Sequence, residues 1–131
     1  MKKFKEHEFT LNIGTVKRVR DILNVDLTQP EKGEPPLIAR IFDDDLFFVE
    51  LLGEIIPDLD IESLTGEEVT QALAAFMEEW RHFFILRGRT DRAKMVTVII
   101  QTLKEVINTT EQELGKAFTD SQESQESTPS P

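Results

Sequence analysis

Three features of the sequence predict a mainly α protein: a small helical domain of about four helices with a short N-terminal β-strand and a disordered C-terminal tail. Apolar residues recur at steps of three and four over 16–23, 69–84 and 95–106, the spacing of one helix face. Period-two alternation is confined to one short run near the amino terminus. The length of 131 residues suits one domain, assigned to 1–118, and the closing "TDSQESQESTPSP", 119–131, has no large apolar side chain with which to fold.

"HEFTLNI" alternates through Phe9, Leu11 and Ile13 and predicts a half-buried strand, which needs a partner from the "KFK" side, from residues 25–29 or from another subunit. Gly14 punctuates, and Thr15 is expected to cap a helix carrying Val16, Val19, Ile22 and Leu23. "PEKGEPP" has the Pro, Gly and charge of a loop. "LIARIF" reads as a helical turn. Asp43, Asp44 and Asp45 then suit the cap and the positive dipole end of a helix whose apolar residues leave mainly Glu50, Gly53 and Glu54 to water. Such a helix is central in its own fold or is covered by a partner, and Pro57 ends it.

"TGEE" at 65–68 matches a capping box, in which the Thr65 hydroxyl accepts from the amide three residues on while the Glu68 carboxylate reaches back. Val69, Leu73, Phe76, Trp80, Phe83 and Phe84 follow at helical spacing. "LRGRTD" breaks that helix and Thr90 is expected to cap the last one. The last helix should show Met95, Val98, Ile99, Thr102, Leu103 and Val106 on one face and run to about Phe118.

The net charge is −10, unevenly placed: residues 41–80 hold 12 acids and no base, whereas 81–118 hold 7 bases and 4 acids. An acidic field of this kind repels nucleic acid and anionic membrane and favours a basic protein surface; a solvated face would carry the same charges. The first residues lack the apolar core of a signal peptide and no uncharged run is long enough to span a bilayer, so the expected location is the cytoplasm. With no Cys there are no disulfides, thiolate nucleophiles or Cys-based zinc sites.

Catalytic and metal motifs are missing. His7 and His82 stand far apart without a helical H-E-x-x-H pattern. "DLDIES" alternates acids like a calcium loop, but lacks the sixth-position glycine and has Val69 where the bidentate acid belongs. There is no phosphate-binding glycine loop and no nucleophile elbow, so a non-enzymatic protein without cofactor or small-molecule substrate is expected. Arg81, His82, Arg87, Arg89, Arg92 and Lys94 form the one basic concentration. It suits the alternative of a small helical regulator binding nucleic acid through 81–94, although two helix ends sharing a solvated turn would look the same.

Taken in order, the strand leading into "IGTVKRVRDILNVDL", the acid-led "DDDLFFVELLGEI", "LTGEEVTQAL" and "FMEEWRHFF" resemble tail assembly chaperone-like proteins of long-tailed bacteriophages and prophages, over about residues 4–90. The chain has Asn24 where that pattern has Gly before "VDL", Asp45 where Pro follows the acids, and Ile85 where Pro follows the paired Phe. The resemblance implies a protein that coats or solubilises the long, partly apolar tape measure protein while the tail tube assembles around it. The tape measure protein is the expected partner and the tail tube protein a second; self-association stays open.

"LAAFMEEWRHFF", 73–84, divides on a helical wheel. Val69, Leu73, Phe76, Trp80 and Phe84 share a stripe and are expected core, whereas Met77 and Phe83 lie off its centre. The expected partner-binding residues are therefore Met77 and Phe83, with Phe47, Phe48 and Leu51 of the acid-led helix.

Overall fold

The computed structural model describes the backbone of residues 2–127 and the side chains of residues 4–109. By its contacts the chain divides into a unit of residues 1–100 and a second, 101–131. The expected mainly helical architecture is what the chain adopts.

The unit 1–100 opens with a hairpin of β1 (Lys2–Phe4) and β2 (His7–Phe9), antiparallel, with Lys2 opposite Phe9 and Phe4 opposite His7. The strand partner is thus the "KFK" side. Lys5 and Glu6 take positive φ of 48° and 69°, which a two-residue turn between right-twisted strands requires. The strand is shorter than its alternation suggests. It ends at Phe9; Leu11 is still buried, but Asn12 turns the chain into α1 (Ile13–Leu23), leaving Ile13 exposed. Asn12, not Thr15, is the cap: its Oδ1 accepts from the Thr15 amide at 2.9 Å. Val16 and Val19 are buried, while Ile22 is exposed.

"LIARIF" lies in α2 (Leu37–Asp43), and Asp44 both ends α2 and caps α3 (Asp45–Ile55), accepting from the Phe47 amide at 3.1 Å. The expected central helix is central in its own fold: α3 packs on α1, α2, a 3-10 turn at Ile61–Ser63 and α4 (Gly66–Leu86). An Arg18 guanidinium donates to the Glu54 carbonyl between α1 and α3. The capping box forms as expected, with Glu68 N–H on Thr65 Oγ1 at 3.2 Å and Thr65 N–H on Glu68 Oε1 at 3.0 Å.

The core runs along α4 as a ladder of rings at four-residue steps. Phe76 meets Phe48 edge-on at 5.7 Å between centroids, Trp80 follows at 5.3 Å and Phe84 at 5.8 Å. Helix α4 ends at "LRGR", where Gly88 takes φ +70°. The Arg89 amide donates back to the Phe84 carbonyl at 2.8 Å and the Gly88 amide to Ile85 at 3.0 Å, a closure that favours glycine at its left-handed position.

Helix α5 spans Thr90–Ser127, so Thr90 is its first residue rather than its cap. Its face differs in part from the expected one: Leu103 is buried as expected, but so are Ala93, Val96 and Ile100, whereas Val98 and Val106 are exposed and Met95 and Ile99 are half-buried. Both stripes are apolar in sequence, so packing alone chose between them. The expected tail at 119–131 falls where side chains are not described and, from residue 128, outside the described residues; the backbone through Ser127 is helical. Among the described residues no helix is long and apolar enough to cross a membrane.

Candidate functional site

The five expected partner-binding residues do not form a free surface. Phe47, Phe48, Leu51, Met77 and Phe83 are all buried, none more than 7% exposed. The Arg40 guanidinium lies 3.8 Å over the Phe47 ring. Phe83 meets Phe84 edge-on at 5.6 Å. The correction has a geometric reason. Helix α4 packs on both β1 and α3, so its buried band is two residues wide, at Ala72–Leu73, Phe76–Met77, Glu79–Trp80 and Phe83–Phe84, instead of a single stripe.

Trp80 is fixed by more than its volume. Its indole Nε1 donates to the Leu27 carbonyl at 2.8 Å, tying α4 to the loop after α1. Buried Glu79 accepts from the Thr10 hydroxyl at 3.0 Å. In the loop after α1, Asp26 is an Asx turn: the Thr28 amide and hydroxyl donate to its carboxylate at 2.9 and 2.5 Å. Partial burial works to raise the Asp26 pKa, but those two bonds and the charges of Arg20 and Lys32 outweigh it and leave it lowered. Glu68 is lowered as well, first by Lys5, whose ammonium lies 2.8 Å away, then by the Thr65 amide.

Two surface clefts stand out for function. The first lies at the junction of α2 and α3, about 390 Å³, lined by Pro35, Ala39, Arg40, Asp43, Asp44, Asp45 and Leu46. Leu46 is 79% exposed, the most exposed large apolar side chain among the described residues, and it stands beside three aspartates. The sequence held a signal for it. Leu46 sits one turn before Glu50 and two before Gly53–Glu54, on the very stripe that the pattern leaves to water.

The second cleft, about 260 Å³, is lined by Thr28, Gln29, Phe83, Phe84, Arg87, Arg89 and Arg92. It gathers half of the basic segment and leaves the rest apart. Arg81 Nε donates to Thr97 Oγ1 at 2.8 Å, linking α4 to α5, and His82 and Lys94 are exposed outside the cleft. Arg92 pairs with Glu31 at 3.3 Å. Among the described residues no three His, Asp or Glu side chains are placed to hold a metal ion. No known protein family, curated protein or solved structure matches the chain.

Proposed function

We propose that the chain is a non-enzymatic, tail assembly chaperone-like protein that keeps the tape measure protein soluble during phage tail assembly. The observation that carries this reading is Leu46, a large aliphatic side chain 79% exposed among Asp43, Asp44 and Asp45. An apolar anchor inside an acidic rim fits a segment that is apolar with basic neighbours, and repels acidic or nucleic-acid surfaces. The proposed partner surface is thus the exposed Leu46 at the start of α3, in place of the buried Phe47, Phe48, Leu51, Met77 and Phe83. The acid-only stretch 41–80 then has a role: it supplies the rim and keeps the loaded complex soluble.

Co-expression with tape measure fragments tests this. The wild-type chain should carry a fragment into the soluble fraction, and Leu46→Asp should abolish that while changing stability by no more than about 0.5 kcal/mol, as for an exposed site. Asp43→Asn with Asp45→Asn should weaken capture and reduce its dependence on salt. Recovery of no fragment by the wild-type chain would end the reading; capture indifferent to all three substitutions would remove the α2–α3 surface from it. Tail tube and tape measure genes on either side of the coding sequence would support it.

A further inference from the structure

We propose that the cleft between the end of α4 and the start of α5 binds a small phosphate-bearing ligand, whose phosphoryl oxygens are held by Arg87, Arg89 and Arg92. Arg87, Arg89 and Arg92, from one six-residue segment, line a single concavity together with Thr28, Gln29, Phe83 and Phe84. Their convergence is built into the backbone. The glycine closure at Gly88, with the Arg89 amide on the Phe84 carbonyl, turns the chain between α4 and α5 so that residues before and after the turn reach one cleft.

Charge selects the ligand class. Among the described residues, Glu31 is the one carboxylate paired with any of the three arginines, so the cleft keeps an excess of two positive charges in a chain of net charge −10. A phosphoryl dianion matches the excess in charge, and its oxygens match the fork of donors that guanidinium presents. Size selects further. At about 260 Å³ the cleft is below the usual range for drug-sized ligands, and suits a phosphate with a small substituent. An extended polyanion would also meet the acidic field of 41–80. The inference is independent of the chaperone reading, since no residue of the α2–α3 cleft takes part.

Thermal melts and calorimetric titrations of the full chain with inorganic phosphate, at ionic strength held constant with sodium chloride, test the site. Phosphate should raise the melting temperature saturably, and chloride alone should not. Arg87→Gln with Arg89→Gln, two exposed side chains with no ion pair among the described residues, should melt normally without phosphate and bind it about tenfold or more weakly, the loss expected for charged hydrogen bonds. Glu31→Gln frees Arg92 from its competing carboxylate and should tighten phosphate binding, a gain that misfolding cannot mimic. Phosphoserine should bind at least as well as inorganic phosphate, and better than a ten-nucleotide single-stranded DNA. Overturning results are the absence of a saturable response, an unchanged response in the double variant, no tightening by Glu31→Gln, or preference for the oligonucleotide.

Discussion

Asn24 closes α1 with φ 56° and ψ 41°, and its amide donates to the Arg20 carbonyl at 2.9 Å. This is the left-handed position where the resembling pattern carries Gly, and Asn is the side chain that tolerates it best. Asn24→Gly should leave the melting temperature almost unchanged, whereas Asn24→Val should cost about 1–2 kcal/mol, read from denaturant midpoints. Equal effects of the two would mean that the backbone conformation is not what the position selects. Asp45, where the pattern has Pro, is the first residue of α3, a position that accepts proline because its amide has no helical acceptor. Ile85 differs: it lies inside the last turn of α4, and proline there would remove a helical donor. Asn24 and Asp45 thus occupy backbone positions that also accept glycine and proline, and Ile85 does not.

At the scale of the helix, the flank of α4 at Met77 and Phe83 is not free, and its exposed apolar residues are Ile85 and Leu86 at the carboxyl end. Trp80 and Phe83 are both buried, so Trp80→Ala and Phe83→Ala should each cost about 3–5 kcal/mol, the range for emptying an aromatic site. Chemical denaturation of the two variants decides between this and the division read from the sequence, in which Phe83→Ala would cost far less. Trp80→Phe isolates a second contribution. It keeps an aromatic ring but orphans the Leu27 carbonyl, for a cost of about 1–3 kcal/mol that tracks the lost indole bond. The helical wheel locates the centre of a face, whereas its width depends on how many neighbours surround the helix. For α4, with the hairpin and α3 both against it, the width is a tertiary property.

For the molecule as a whole, two carboxylates with lowered pKa contribute to the response to acid. Glu68 joins the α4 cap to Lys5 of the hairpin turn, and Asp26 organises the loop that Trp80 anchors. With folded pKa values below the unfolded ones, both contribute stability that is present above the ordinary carboxylate pKa of about 4. That contribution is lost as pH falls through the folded values, because the unfolded chain takes up the protons first. The melting temperature should therefore fall on acidification below about pH 4.5, and Glu68→Gln should flatten that limb while lowering stability at neutral pH. An acid limb identical in Glu68→Gln and wild type would show that other carboxylates control it.

The sequence by itself determined where the helices lie and the starts of α3 and α4: the capping box at Thr65–Glu68, the Asp44 cap and the glycine break after α4 are local devices whose partners lie within a few residues, whereas the caps expected at Thr15 and Thr90 are not the ones used. It also located the acid-only stretch and the arginine-rich turn, which are matters of composition. What lay beyond it was which apolar residues meet each other. Val98 and Ile100 are equally apolar, yet one is exposed and the other buried; Leu46 and Phe48 share a helix, yet one faces water and the other packs against Phe76. The indole bond from Trp80 to Leu27 spans 53 positions, and the arginine cleft needs Thr28 and Gln29 brought to the end of α4. Periodicity encodes the direction of a side chain relative to its own helix axis. Whether that direction points to solvent or to another element is decided by the packing of distant segments, and the arginine cleft lies where such segments meet, whereas the cleft at Leu46 is built within residues 35–46.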